Sequence, residues 1–484
     1  MKVSISYPPI KSSKGVPLLS QNRQFQWFNN PTYIYPMVPA YAATLLEEEG
    51  YKVSWDDGIA EGLKFSEYMS RMVKEQPDII AIETKTPVIM AHWKIINDLK
   101  DELPETRIVL MGDHVTALPQ ESFNECRVDY VLTGGDYDFL LLNLCNHLSK
   151  GEELEPGIWY RENKTIKKTG VFKLKHDLTS LPFIDRELTK WWLYSEKNGN
   201  FRELPGTYTI AGRDCWWHRC SFCSWTTIYP QFRVRSTESL LDEIGVLIER
   251  YKVKEIFDDT GTFPVGKWLE RFCEGIIDRG YNEEVRFGCN MKFGALNQRQ
   301  YDLMGKAGFR LILFGLESAK QETLDRINKG ITVKDIVDGC RMAKHAGLEP
   351  HLTIMVGYPW ETKEDAIKTV EFAKDLFKRG WADTLQATIV IPYPGTRLFE
   401  ECKENGLLVT ENWDDYDMRK AVMKTPMNEE DIKEVSQQLY KVFFTPKYVI
   451  RRLSSIRSLN DLSFIRRGFK AISGHLKDFS ESDI

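Results

Sequence analysis

The sequence lacks the features that would mark a membrane, exported or nucleic-acid-binding protein. No hydrophobic run approaches the roughly 18 residues of a membrane-spanning helix, and MKVSISYPPI at the start has no apolar export signal. Positive charge is not in excess: the net charge is −5, and no basic stripe is interleaved with aromatic residues. The nine cysteines are an odd number, which argues against a disulfide framework and favours reduced thiols. We therefore expect a cytoplasmic globular protein that does not bind nucleic acid.

Residues 1–150 alternate short apolar runs with helical patterns. Strands separated by helices predict a mostly parallel, doubly wound sheet of the Rossmann-like kind. Ligands of such sheets bind beyond the carboxyl ends of the strands. The candidate loops at these ends are Tyr7–Pro9, Thr84–Pro87, Gly112–Thr116 and Thr133–Asp136.

A second alternation of strands and helices occupies residues 205–400. It supplies six strand–helix units, whereas a complete eightfold barrel normally needs about 250 residues, so a partial (β/α)6 barrel is predicted. Residues 151–204 are predicted to be a linker with a small hairpin. Residues 401–484 are predicted to form a helical C-terminal region that covers a substrate. Active sites of such barrels lie at the carboxyl ends of the strands.

Three cysteines follow the first predicted barrel strand in the stretch DCWWHRCSFCSW: Cys215, Cys220 and Cys223. A structural zinc site usually has four ligands, often as two pairs, and no fourth cysteine lies nearby. His218, in the same loop, is an alternative fourth ligand. Three thiolates also suit an iron–sulfur cluster that leaves one iron open to a non-protein ligand. The residues alone leave both kinds of metal site open.

The stretch CWWHRCSFC resembles the cluster-binding loop of the radical S-adenosylmethionine (SAM) superfamily, including Phe222 before the last cysteine. This resemblance implies that the three cysteines hold a [4Fe–4S] cluster, and that the amino and carboxylate groups of SAM chelate the fourth iron. The spacing departs from the usual loop, because four residues rather than three separate Cys215 from Cys220.

Four later segments resemble segments of the same superfamily and occur in the same order: FDDTG, GLES, MVGYPWET and IPYPGTRLFEE. The first three are similar to segments that contact SAM. The SAM contacts that they imply are Asp258, Asp259, Thr260, Gly261, Glu317, Ser318, Gly357 and Pro359. For Glu317, capping of a helix is the alternative role.

The stretches VLMGDHVTALPQE and VDYVLTGGDYDFLLLNL resemble parts of cobalamin-binding domains that are fused to radical SAM barrels. The cobalamin contacts that they imply are Gly112, Asp113, His114, Val115, Thr116, Thr133, Gly134 and Gly135. The D-x-H-x-x-G motif that supplies a cobalt-binding histidine elsewhere is absent, and we do not expect His114 to bind cobalt. GGDYD also replaces the usual acidic GEGE.

The resemblance implies an enzyme that takes an electron from a reductant such as flavodoxin or ferredoxin and cleaves SAM to a 5′-deoxyadenosyl radical. The favoured reaction is cobalamin-dependent methylation of an unactivated carbon in a small-molecule or lipid substrate. Radical ring contraction, cyclisation or carbon–carbon coupling on a lipid or tetrapyrrole-like substrate is the first alternative. A non-catalytic metal-binding protein is the second.

Basic residues recur among Leu, Ile and Phe near the end of the chain, at Arg451, Arg452, Arg457, Arg466, Arg467, Lys470 and Lys477. Such a pattern is typical of a solvated helix face. Peripheral contact with an anionic membrane surface is the other interpretation.

Overall fold

The protein is represented by a computed structural model that describes residues 1–19, 25, 27–29, 31–196, 198–199, 201–458 and 460–468. Two large sheets organise the chain, one with seven strands and one with six. The predicted α/β class is confirmed, with a doubly wound first sheet, a six-stranded partial barrel and a helical C-terminal region.

The strands are β1 (Lys2–Tyr7), β2 (Val16–Pro17), β3 (Trp27–Phe28), β4 (Lys52–Asp57), β5 (Ile79–Thr84), β6 (Arg107–Gly112), β7 (Tyr130–Leu132), β8 (Ile158–Glu162), β9 (Thr165–Lys168), β10 (Gly206–Thr209), β11 (Gly212–Arg213), β12 (Arg233–Val234), β13 (Glu255–Asp258), β14 (Arg286–Met291), β15 (Phe309–Glu317), β16 (Glu349–Val356) and β17 (Thr384–Ile389).

The helices are α1 (Met37–Glu48), α2 (Gly58–Glu61), α3 (Phe65–Glu75), α4 (Ile89–Glu102), α5 (Asp113–Ala117), α6 (Pro119–Glu125), α7 (Tyr137–Lys150), α8 (Trp192–Ser195), α9 (Trp225–Ile228), α10 (Thr237–Glu249), α11 (Lys267–Asp278), α12 (Tyr281–Glu284), α13 (Gln298–Lys306), α14 (Gln321–Arg326), α15 (Val333–His345), α16 (Lys363–Arg379), α17 (Arg397–Glu404), α18 (Glu429–Tyr440) and α19 (Pro446–Ser454). Residues 460–468 are also helical.

The first sheet has the strand order β4-β1-β5-β6-β7-β8-β9, and its strands from β4 to β7 are parallel. Every residue of β5, IIAIET, is buried, because helices cover both faces of the sheet. The carboxyl ends of these strands face the second half of the chain.

The hairpin predicted inside the linker belongs to this first sheet. β8 pairs antiparallel with β7, Tyr160 lying opposite Tyr130, and β9 pairs with β8 as the edge strand. An antiparallel hairpin can extend a parallel sheet by bonding to its free edge strand. Over this stretch the predicted linker is therefore an extension of the first domain.

The second sheet contains the six predicted barrel strands in the order β10-β13-β14-β15-β16-β17, all parallel. We call the carboxyl ends of these strands the upper end of the barrel and their amino ends the lower end. The short pair β11 and β12 lies at the upper end and places Arg213 opposite Arg233. We call residues 213–233 the cysteine segment, because all three clustered cysteines lie between these two arginines.

The lower end is closed by charged and aromatic side chains. Arg310 donates to Glu349 over 2.9 Å and also to Glu255, and both carboxylates lie at the amino ends of strands. The ring of Phe464, from the helical segment 460–468, lies 5.4 Å from the guanidinium of Arg310 and 5.3 Å from that of Arg202. Part of the C-terminal region therefore covers the end of the barrel opposite the cysteine segment.

The basic residues of α19 bind the barrel. Arg451 donates to the carbonyl oxygens of Phe377 and Ala382 over 3.0 and 2.8 Å. Ile450 and Leu453 on the same helix are exposed. Lys470 and Lys477 lie outside the described residues. In the part of the chain that the structure describes, no helix combines the length and the apolar character needed to cross a membrane. Peripheral membrane contact stays a prediction.

Candidate functional site

A cavity that is open to solvent lies at the upper end of the barrel, with about 1360 Å³ of empty space when the solvent at its mouth is included. Its wall contains Cys215, Cys220, Cys223 and Glu317, which the sequence places up to about a hundred residues apart. Parallel strands bring these residues together because their carboxyl ends meet at one end of the sheet.

The cysteine segment is fastened to the barrel at several points. Cys215 pairs with Thr262, which follows β13, and its Sγ lies 3.1 Å from the Thr262 Oγ1. Further along, the Ser221 amide donates to the Ile327 carbonyl over 3.0 Å. These contacts direct the segment towards the cavity. His218, the alternative zinc ligand, is not part of the described cavity wall.

The cysteines fall into two groups. The three in the cysteine segment are partly exposed, whereas the other six are buried. Burial raises the pKa of Cys220 to about 11, although Lys329 and Lys292 oppose this effect. Cys220 is therefore a thiol at neutral pH, and binding of a metal would displace its proton.

No three His, Cys, Asp or Glu side chains of the described residues are placed to hold a single metal ion. A four-iron cluster makes a different demand. Its cysteine thiolates each bind a different iron, so their sulfur atoms need not converge on one point. The open arrangement of the three thiols is compatible with such a cluster.

Glu317 reaches the cavity through an irregularity at the end of β15. The register between β15 and β16 shifts between Gly315 and Glu317, and Glu317 has a left-handed backbone with φ of 62°. A non-glycine residue in this conformation costs of order 1–3 kcal/mol and is held by its surroundings. Its carboxylate accepts a hydrogen bond from Lys329 Nζ, which also lies in the cavity wall.

Lys329 remains charged although it is buried. Burial alone would lower its pKa, but the charge and the hydrogen bond of the Glu317 carboxylate oppose burial, and the pKa lies above its usual value. Lys292 lies nearby, donates to the Gly330 carbonyl over 2.7 Å and sits 4.2 Å from the centre of the Trp217 ring. The wall beside the cysteines thus offers both a carboxylate and two ammonium groups.

Of the eight predicted SAM contacts, the structure places Gly261 and Glu317 in the cavity wall. Thr260 Oγ1 instead accepts hydrogen bonds from the Ala211 and Gly212 amides over 2.9 and 3.0 Å. Thr260 therefore braces the base of the cysteine segment.

Asp258 is buried and accepts from Thr209 Oγ1 over 3.0 Å, and Ser318 donates to Glu361 over 2.6 Å. Each of these two side chains is therefore hydrogen-bonded to another residue of the barrel. Asp259, Gly357 and Pro359 are likewise outside the described cavity wall.

Several cavity residues were not predicted. The two lysines give no local sequence signal, since Lys329 enters from the turn after α14 and Lys292 from the end of β14. The lower part of the wall carries uncharged side chains that alternate along the inner face of the strands: Leu311, Leu313, His351, Thr353, Gln386 and Thr388. Period-two alternation in β15, β16 and β17 is the signal that could have identified them.

The predicted cobalamin loop 112–116 lies at the carboxyl end of β6. A Cβ on Gly112 would lie 2.3 Å from the Thr84 carbonyl oxygen, so only glycine fits this close approach. Both ring nitrogens of His114 are hydrogen-bonded, to Thr86 Oγ1 over 3.1 Å and to Glu121 Oε2 over 3.0 Å. Both ring nitrogens of His114 therefore have protein partners, and Val115 is buried in the core.

The second predicted cobalamin loop, Thr133–Gly135, is buried. A Cβ on Gly134 would lie 2.4 Å from the Phe172 ring, and one on Gly135 would lie 1.9 Å from the Tyr229 ring. Thr116 Oγ1 accepts from the Gly134 amide over 3.0 Å and donates to the Gly112 carbonyl over 2.7 Å. Side chains of the protein itself therefore cover this loop.

The chain matches known proteins over most of its length. Residues 210–373 match the radical SAM superfamily. An uncharacterised methyltransferase of Pyrococcus horikoshii is 30% identical over 423 residues, which cover 86% of this chain and 89% of that protein. An anaerobic magnesium-protoporphyrin IX monomethyl ester cyclase of Cereibacter sphaeroides is 27% identical over 76% of this chain and 60% of that protein.

The fold is also similar to a solved structure. The radical S-adenosylmethionine methyltransferase TsrM from Kitasatospora setae, described with cobalamin and a [4Fe-4S] cluster bound, superposes with a TM-score of 0.68. The match covers 92% of this chain and 89% of that chain at 15% identity. The match therefore includes both the first domain and the barrel of this chain. By its matches in sequence and fold, the chain belongs to the radical SAM superfamily and is an enzyme of that superfamily.

Proposed function

We propose that this enzyme methylates an unactivated carbon of a small-molecule or lipid substrate bound in the upper cavity, with cobalamin as the methyl carrier. The observation that carries the radical part of this proposal is the meeting of Cys215, Cys220, Cys223 and Glu317 in one cavity wall. The methyl-transfer part rests on the relative named a methyltransferase and on the likeness of both domains to TsrM.

The residues present fit a four-iron cluster and SAM. The three partly exposed thiols are the proposed cluster ligands, and Gly261 lies beside them in the same wall. When bound, the cluster supplies the electron that cleaves SAM to methionine and a 5′-deoxyadenosyl radical. The expected electron donor is a low-potential carrier of the flavodoxin or ferredoxin type.

Glu317 and Lys329 are proposed to bind the amino-acid part of SAM. A carboxylate attracts the ammonium group of SAM, and an ammonium attracts its carboxylate, so the pair matches both charges. The pair is shielded from bulk water, which strengthens each of these interactions. We propose that Asp258, Thr260 and Ser318 support this site from behind.

The remaining cavity wall is proposed to shield the reaction from water. Phe257, Leu311, Leu313 and Met355 supply apolar surface, and Met418 from the C-terminal region completes the wall. A carbon-centred reaction needs such shielding, because nearby hydrogen donors would quench it. The position of Met418 supports the proposal that residues after 400 cover the substrate.

Part of the predicted cobalamin site is covered by the protein in the arrangement described. Phe172 and Tyr229 pack against Gly134 and Gly135, and both ring nitrogens of His114 have protein partners. Contact of cobalamin with these two glycines would require the two aromatic rings to move, whereas Thr116 and Thr133 line an open cavity. The proposal of cobalamin rests on the comparisons alone.

A second candidate function is radical cyclisation, ring contraction or coupling without methyl transfer. The covered glycine loop favours it, and so does the relative named a monomethyl ester cyclase. In that case the first domain would serve as a scaffold for the barrel.

The test uses full-length protein reconstituted without oxygen and expressed with cobalamin available. Iron, cobalt and the absorbance spectrum are measured, and 5′-deoxyadenosine is quantified after addition of SAM and dithionite. About four irons per chain, stoichiometric cobalt and 5′-deoxyadenosine would support the proposal. Iron and 5′-deoxyadenosine without cobalt would favour the second candidate, and absence of both metals would contradict each of them.

A further inference from the structure

The first domain contacts the cysteine segment through the stretch GGDYD, residues 134–138, which runs from the loop after β7 into the first turn of α7. This is the stretch in which the sequence departs from the usual motif of related domains. It meets the cysteine segment at the arginines of its base and again near its last helical turn, α9. The contacts are polar, buried and specific in geometry.

Arg213, at the first end of the cysteine segment, is fully buried against two carboxylates. Its Nη1 donates to Asp136 Oδ1 over 3.0 Å and to Asp138 Oδ1 over 2.9 Å, and its Nη2 donates to Asp138 Oδ2 over 2.5 Å. The pair with Asp138 is therefore bidentate, which fixes orientation as well as distance. Arg213 lies two residues before Cys215.

Arg233, at the other end of the segment, binds the same stretch. Its two terminal nitrogens donate to the two oxygens of Asp136 over 2.7 and 2.6 Å. Arg213 and Arg233 face each other across the β11–β12 pair. Asp136 thus joins both ends of the segment, and two arginines balance two buried carboxylates.

A third contact lies in the backbone. The Gly135 amide donates to the Ile228 carbonyl over 2.8 Å, and Tyr229 Oη donates to the Gly135 carbonyl over 2.9 Å. The Tyr229 ring leaves no room for a side chain at Gly135. Glycine at this position therefore allows the first domain to reach the part of the segment that follows Cys223.

We propose that residues 134–138 are a positioning clamp, through which the first domain holds the cysteine segment in the shape that binds the cluster. Asp136 and Asp138 act through Arg213 and Arg233 and touch neither cluster nor substrate. This inference rests on the proposed function, since it assumes that the three cysteines bind the cluster. It assigns to the first domain a role that does not depend on cobalamin.

Energetics favour positioning over simple stabilisation. A buried ion pair recovers little more than the cost of removing its charges from water, so packed apolar side chains would hold two domains together at least as well. Removal of one partner strongly destabilises the fold, because the other charge is left buried without compensation. The clamp instead fixes the position and orientation of both ends of the cysteine segment relative to the first domain.

The test compares Asp138→Asn with Glu255→Gln in the full-length, reconstituted protein. Glu255 is an equally buried carboxylate that binds an arginine, but at the lower end of the barrel. Both variants should lower the temperature of unfolding. Only Asp138→Asn should speed the loss of iron to a chelator, by about 10- to 100-fold as for other residues that orient metal ligands. It should also change the electron paramagnetic resonance spectrum of the reduced cluster.

Arg233→Gln is the milder second variant if Asp138→Asn does not fold, and it should speed iron loss in the same direction. Iron loss and resonance spectra equal to those of Glu255→Gln in whichever clamp variant folds would overturn the clamp. A wild-type protein that holds no iron after reconstitution would instead overturn the proposed function on which the clamp rests.

Discussion

Buried arginine–carboxylate pairs occur at both ends of the barrel, but they hold different structures in place. At the lower end, Arg310 and Arg202 bind Glu255 and Glu349, and Phe464 covers the arginines. At the upper end, Arg213 and Arg233 bind carboxylates of the first domain, and a cavity stays open beside them. Buried arginine–carboxylate pairs therefore do not reveal function by themselves. Their role depends on the structure that they hold, which is the base of the barrel at the lower end and the cysteine segment at the upper end.

The sharpest way to separate the two ends is to remove a thiol from each environment. Cys220→Ala at the upper end should abolish the cluster absorbance and all SAM cleavage, because one proposed iron ligand is lost. Cys273→Ala, in the core between the barrel helices, is the matched control and should keep both. Absorbance, iron content and 5′-deoxyadenosine are the measurements. Persistent cleavage in Cys220→Ala would contradict the cluster assignment.

Loss of the ion pairs at the lower end should lower the free energy of unfolding and leave cleavage of SAM unchanged. Arg310→Met leaves Glu255 and Glu349 buried without their main partner, for an expected loss of about 3–5 kcal/mol in the free energy of unfolding. Anaerobic denaturant titration measures this loss. Iron content and SAM cleavage per folded chain should match the wild type, and a fall in either would show that the two ends are coupled.

A smaller effect is expected from the charged pair in the upper cavity. Glu317→Ala removes a charge-assisted contact of about 1.5–3 kcal/mol, so SAM should bind roughly 10- to 100-fold more weakly while iron content stays the same. Equilibrium binding of SAM to the reconstituted protein is the measurement. Glu322→Ala, on the exposed side of α14, is the control. Unchanged affinity in Glu317→Ala would leave Glu317 with a structural role only.

The smallest effect is expected where the C-terminal helix covers the lower end. Phe464→Leu keeps most of the apolar surface but loses the contacts of the ring with two guanidinium groups, each worth about 0.5–1 kcal/mol. The temperature of unfolding should fall by a few degrees at most, with SAM cleavage unchanged. A loss of cleavage would indicate that this helix influences the upper cavity.

The positions of the barrel strands and of the clustered cysteines are predictable from the sequence, because both depend on local patterns. Apolar runs separated by helical periodicity identified all six barrel strands, and the cysteine spacing identified the segment. Glu317 was found at the end of β15, and it does lie in the cavity wall. Which of the eight predicted SAM contacts bind SAM remains a prediction.

The parts that escaped sequence reasoning depend on contacts between distant residues. Lys329 approaches Cys220 through the turn after α14, and nothing near Lys329 in the sequence indicates a cavity. The sequence shows GGDYD only as a departure from a motif, because its partners Arg213 and Arg233 lie far along the chain. The sequence predicts the hairpin as part of a linker, because its pairing with β7 is not encoded within the hairpin.

The β11–β12 pair also has a consequence for chain entropy. It joins the two ends of the cysteine segment through protein groups alone, with Arg213 paired opposite Arg233. Closing a flexible loop of roughly 20 residues costs about 3 kcal/mol. Because the strand pair itself closes this loop, the free energy of iron binding to the three thiols does not have to include that closure.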